Sequence, residues 1–178
     1  MPSEAVDTKD RNAGRLQIAV RTPVLSHDGR DLAAALQTIS EIGDSDGLEA
    51  AVASAFAGAS LEIESLGGLE VTLRSPEFRR AFRASELSDG TLKYLCLLAA
   101  LFSPRPPSLL AFNEPDASLH PQLYEPLART MSRAAANSQL WVTTHSPEFA
   151  ALLQEHGGAQ LVQLEKRDGA TVVCDNPR

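Results

Sequence analysis

At 178 residues the chain is long enough for one domain that buries roughly 70% of the surface its unfolded form would expose. Apolar residues make up 43% and charged residues 22%, and the formal net charge of −7 excludes a general binder of nucleic acid or anionic membrane, because phosphate contacts need an excess of Lys and Arg. Cys96 and Cys174 stand far apart with no C-x-x-C pair, so neither a zinc site nor a disulfide framework is indicated.

Residues 1–14 are polar and mixed in charge and are expected to form a disordered lead-in. They lack the apolar core of a signal peptide, and the longest apolar run, Leu95 to Phe102, is far short of the ~20 residues that span a bilayer. A soluble cytoplasmic protein is the expectation, with residues 15–178 as its single domain. Leu16 to Val20 alternates weakly as a short strand, and Ser26–Gly29 (SHDG) is turn chemistry. Leu32, Ala35, Leu36, Ile39 and Ile42 fall at helical spacing over 31–42, and Gly43 ends that helix. A second helix is expected over 48–57, with Gly58 as its stop. Leu61–Ile63 and Leu69–Leu73 alternate as antiparallel strands joined at Gly67–Gly68. Arg79, Arg80 and Arg83 follow, either as a solvated face or as positive charge beside bound polyphosphate or nucleic acid.

Three polar tips then appear on an apolar scaffold. The first is Leu87-Ser88-Asp89-Gly90-Thr91, ahead of a helix that is apolar on most faces. Ser88 or Asp89 suits an N-cap, and Gly90 lets another group approach the backbone. The first N–H groups of a helix lack partners within it and suit a phosphate, although a plain capped core helix would read the same way. The second is the strand 108–113, bounded by Pro106–Pro107 and Pro115 and expected to be buried on both faces of a parallel sheet, with Asn113 and Glu114 at its carboxyl end. A carboxylate there can accept a proton from a water attacking phosphorus, or can simply be a surface Glu. The third is His145, after the expected interior strand 140–143 and ahead of a helix that Ser146 caps and Pro147 opens. A helix over 122–136, opened by His120-Pro121, would be the crossover of a right-handed β-α-β unit. Strands at 160–164 and 171–173 would close the fold.

Taken in this order, the segments resemble the ABC-type ATPases, in particular the SMC/RecF-like group of AAA-family ATPases. LSDGT at 87–91 is similar to the ABC signature loop, LLAFNEPD at 109–116 to the Walker B strand with its following glutamate, ASLHP at 117–121 to the D-loop, and His145 to the switch histidine. The detailed resemblance runs from Glu86 to Leu153. It implies an α/β fold, the C-terminal portion of an ABC-type head of the P-loop NTPase kind: a mostly parallel central sheet flanked by helices, with a small antiparallel element before the signature helix.

The resemblance also implies function. Two heads would close face to face around ATP and Mg2+ as a homo- or heterodimer. Ser88, Asp89 and Gly90 would face ATP held by the opposing head, Glu114 would activate the attacking water, and His145 would sense the γ-phosphate. Ser118, Leu119 and His120 would lie at the dimer seam, and DNA enters as a partner by family analogy alone. Asn113 stands where the family places an aspartate. Its amide can support magnesium weakly, through a bound water. No G-x-x-x-x-G-K-[ST] loop occurs in the 178 residues, so the chain is expected to begin after that loop and to depend on a P-loop supplied elsewhere. The expected function is ATP binding and hydrolysis by such a head. The alternative is a non-catalytic module, or a degenerate remnant, that docks on a complete head.

Overall fold

Helix α3 (Asp89–Leu101) is the axis of the molecule, described for residues 24–26, 29–65 and 68–174 in this computed structural model. Every residue from Tyr94 to Leu101 is buried, as an almost wholly apolar helix demands. Two helices precede it, α1 (Leu32–Ile42) and α2 (Ser45–Ala55), and α1 packs on both α2 and α3. Gly43 closes α1 by donating its N–H to the carbonyl of Ile39 at 2.8 Å, and a Cβ there would lie only 2.8 Å from that same oxygen. The second helix starts three residues earlier than the sequence suggests, because the Asp44 carboxylate accepts the N–H of Gly47 and so supplies a cap. It also stops earlier, at Ala55. Asp44 further pairs with Arg133, which ties α2 to the later helix α4 (Tyr124–Ala134).

Strands β1 (Ser60–Glu64), β2 (Glu70–Arg74) and the two-residue β3 (Phe82–Arg83) form the antiparallel element expected before α3. The 26–29 turn closes with the Gly29 N–H on the Ser26 carbonyl at 3.0 Å, although His27 and Asp28 lie outside the described residues. The 16–20 strand expectation and Gly67 of the hairpin also lie outside them.

After α3 the chain forms β4 (Leu109–Asn113), a 3-10 turn at Pro121–Leu123, α4, β5 (Gln139–Thr143) and α5 (Pro147–Gly157). Strands β4 and β5 pair in parallel, Leu109 opposite Gln139 through Asn113 opposite Thr143. Of the expected mostly parallel sheet, the described residues contain this one parallel pair among three small sheets. The expectation of strands buried on both faces is corrected. Leu110, Phe112, Leu140 and Val142 pack on the core, whereas the other face carries Leu109 at 40% and Trp141 at 64% exposure. An apolar run cannot reveal whether both of its faces are covered.

The first closing strand is also corrected, while the second covers the expected 171–173. They are β6 (Leu164–Arg167) and β7 (Ala170–Val173), joined by Asp168 and Gly169 at φ 50° and 83°. A two-residue turn with both φ positive fixes the register outward from itself. Lys166 and Arg167 are therefore paired in the ladder, which ends where the Gln163 carbonyl accepts the Cys174 N–H at 2.8 Å, and 160–162 lie outside the strand.

Candidate functional site

The carboxyl ends of β4 and β5 lie side by side because the two strands are parallel and in register. Asn113 and Thr143 form the last pair, and the Thr143 hydroxyl donates to Asn113 Oδ1 at 2.7 Å. The next residue, Glu114, turns sharply. Its N–H still donates to the Thr143 carbonyl at 2.9 Å, but its φ of 47° is left-handed. A side chain in that conformation costs roughly 1–2 kcal/mol, so the surrounding contacts must hold it. The result is that Glu114 Oε1 stands 3.2 Å from His145 Nε2. The imidazole is 91% exposed and the carboxylate 41%, so both face outward into solvent.

The signature segment reaches this corner through α3. Ser88 is the N-cap, its hydroxyl accepting the Thr91 N–H at 3.1 Å, and Asp89 is the first helical residue. Gly90 comes so close to the turn after β4 that a Cβ would lie 2.8 Å from the Ser118 carbonyl oxygen. One turn along, Lys93 Nζ donates to the carbonyls of Glu114 at 3.0 Å and Ala117 at 2.7 Å. Ser88–Gly90 and Glu114 are thus parts of one packed corner. Ser118, with φ 65°, and His120 are exposed, whereas Leu119 is buried and anchors the segment. The His120 imidazole accepts the Gln122 N–H at 3.3 Å and opens the turn into α4.

The arginine segment carries less free charge than its composition suggests. Arg80 makes two 2.8 Å bonds to Glu86 and lies over the Phe82 ring, while Arg83 approaches Glu70 at 3.8 Å. The Arg80 guanidinium, helped by the Arg83 N–H, holds the Glu86 carboxyl down at about 2. Burial pushes the Cys96 thiol up to about 12, which makes it an inert core residue.

Residues 4–151 match the AAA_21 family model, described as "AAA domain, putative AbiEii toxin, Type IV TA system". The chain belongs to this family of ABC-type ATPase domains. No curated protein sequence matches it. Among solved structures, the AAA_21 chain resembles one from work on ATP-driven dimerization and DNA-stimulated activation of SMC ATPases, with a TM-score of 0.61 and 21% identity over 78% of this chain and 85% of that one. It also resembles the Smc head domain with a coiled coil and joint from Pyrococcus yayanosii, with a TM-score of 0.60 and 20% identity over 78% of this chain and 27% of the other. The SMC head domain from Thermotoga maritima gives a TM-score of 0.54 and 20% identity over 83% and 52%. The α/β fold is that of an SMC-like head.

As a magnesium site, the corner offers a narrow donor set. The described residues contain no cluster of three or more His, Cys, Asp or Glu. Glu114 supplies a carboxylate, and Asn113 supplies an amide oxygen already shared with Thr143. That set fits magnesium only where phosphate and water complete the shell, the usual arrangement for this ion. Among the described residues no helix is long and apolar enough to cross a membrane.

Sequence reading missed Lys93 and Thr143. Lys93 had a signal, as the sole basic residue of a helix that is apolar from Tyr94 onward. Thr143 had none, because its role depends on the register of β5 against β4. Asp116, buried with Oδ1 unpartnered, was likewise not singled out.

Proposed function

We propose that this chain supplies the water-activating, γ-phosphate-sensing and signature elements of an ATP-hydrolysing head whose P-loop comes from another segment or chain. The observation that carries this reading is the Glu114–His145 pair, 3.2 Å apart at the carboxyl ends of two parallel strands. Glu114 accepts a proton from the attacking water, and the water oxygen bonds to the γ-phosphorus as the bridge to the β-phosphate breaks. His145 donates a hydrogen bond to an oxygen of the transferring group. Ser88, Asp89 and Gly90 face a nucleotide on an opposing head, with Ser118 and His120 at the seam and Leu119 anchoring them from the core. Mg2+, bound with the nucleotide, neutralises phosphate charge, and Asn113 and Glu114 are the residues that would support it.

The covering of the sheet belongs to the same reading. Residues 15–178 act as one incomplete domain, and the P-loop segment covers the outer face of β4 and β5 and extends the parallel sheet. Exposed Leu109 and Trp141 support this, since parallel strands are ordinarily buried on both faces.

The test is turnover after adding a P-loop-bearing segment of an AAA_21 or SMC-like head. Glu114→Gln keeps the size of the side chain and removes its charge, and kcat should fall by about a hundredfold to ten-thousandfold, the range for a lost general base. Unchanged turnover would remove Glu114 from the chemistry.

A further inference from the structure

Lys93 presents a feature that the water-activating role of Glu114 does not by itself explain. It projects from the second turn of α3 and donates to two carbonyls of a single tight turn, Glu114 at 3.0 Å and Ala117 at 2.7 Å. That turn contains two non-glycine residues with left-handed backbone, Glu114 at φ 47° and Ser118 at φ 65°. Its own bonds are sparse. The Ala117 N–H reaches the Glu114 carbonyl and the Leu119 N–H reaches the Asp116 carbonyl, both at 3.1 Å. On its other side Gly90 is in near contact with the Ser118 carbonyl. The first two turns of α3 therefore grip the strained turn at two points, one electrostatic and one steric.

We infer that Lys93 is a positioning residue that locks the Glu114–Ser118 turn to α3, so that the Glu114 carboxylate and the Ser88–Gly90 loop move as one unit. The functional part rests on the assignment of Glu114 above, and the structural part stands without it. An ammonium serving the carbonyl oxygens of Glu114 and Ala117 fixes both ends of the turn to one point of α3, and charge-assisted bonds are the strong ones. Without it, Glu114 relaxes from its left-handed conformation and its carboxylate leaves His145. Displacement of the signature loop would reach Glu114 through the same grip. A lysine whose only task is to solubilise a helix end has no reason to bond the backbone of another element twice.

Amide hydrogen exchange on the full 178-residue chain tests the lock without nucleotide. Lys93→Met keeps the stem and removes the ammonium. Exchange at Ala117 and Leu119 should rise about tenfold or more, as expected when charge-assisted bonds leave a local opening equilibrium, with the amides of 96–101 and 127–134 unchanged. Lys93→Arg, which restores a cation with fixed donors, should recover most of the protection. Gly90→Ala should loosen the same two amides from the steric side. A uniform rise across the helices would make Lys93 a fold-stabilising residue and overturn the proposal, and so would protection at Ala117 and Leu119 that survives both Lys93→Met and Gly90→Ala. In the reconstituted head, Lys93→Met should lower kcat with KM unchanged. If Glu114→Gln leaves turnover intact while the exchange pattern appears, the lock holds and the water-activating assignment falls.

Discussion

Glu86 and Arg80 show how a single residue pair ties sequence to pH behaviour. The Glu86 carboxyl accepts two guanidinium bonds from Arg80 and the Arg83 N–H, which lowers it from 4.5 to about 2. A carboxyl held below its unfolded value stabilises the fold fully above 4.5, and that contribution is lost as pH falls toward 2. The urea midpoint should therefore drop over this window. Glu86→Gln should flatten that part of the profile without changing the midpoint's slope above it, and a profile identical to wild type would show that the pair does not persist in solution. Both partners are exposed, so the effect is a small one that salt screens further. The bonding of Arg80 and Arg83 to acids six and thirteen residues away was not legible in the run of arginines itself, since the first depends on the chain turning back at 84–86 and the second on β2 lying beside β3.

At the scale of elements, α3 was the most legible part of the chain. A run of apolar residues too dense for one stripe is a buried helix, and Ser88 or Asp89 ahead of it suits a cap, a choice the structure settles on Ser88. The same holds for α5, where Ser146 accepts the Phe149 N–H at 3.1 Å and Pro147 takes the first helical position. Ser88 caps α3, and the proposal above gives it a second task at an opposing nucleotide; the two can be separated. Ser88→Ala should cost about 0.5–2 kcal/mol of stability through the lost cap. Ser88→Asn should restore most of that stability in thermal melts. On the proposed role it should still impair turnover in the reconstituted head, because the hydroxyl assigned to the opposing nucleotide is gone. Full turnover in Ser88→Asn would reduce Ser88 to a helix cap. The elements read less well were those whose limits are set from outside: β6 by the left-handed Asp168–Gly169 turn, and α2 by the acid of Asp44 one residue before it.

Across the whole molecule, the order of sites along the chain was legible and their coverage was not. Glu114 and His145 could be placed together because apolar runs separated by one helix make parallel neighbours. Nothing in Leu140-Trp141-Val142 distinguishes the residue facing the core from the one facing solvent, and the large apolar Trp141 stands on the solvent side. As the sole tryptophan, it is a reporter of the covering proposed above. Its emission in the isolated chain should be that of a solvated indole and open to acrylamide quenching. Adding a P-loop-bearing segment should shift the emission to shorter wavelength and protect it. If ATPase activity appears with the emission unmoved, that face is covered by nothing and the segment docks elsewhere.

The exposed face of β4 and β5 also bears on how the protein would live in a cell. A fold completed by association gains stability as RT ln(1 + [L]/Kd), so its melting temperature depends on how much partner is present. Among the described residues no third strand pairs with β4 or β5, and strand edges beside exposed apolar side chains invite pairing between copies of the same chain. On the covering proposed above, abundance of this polypeptide would track the supply of the P-loop segment, with any surplus lost to aggregation or proteolysis.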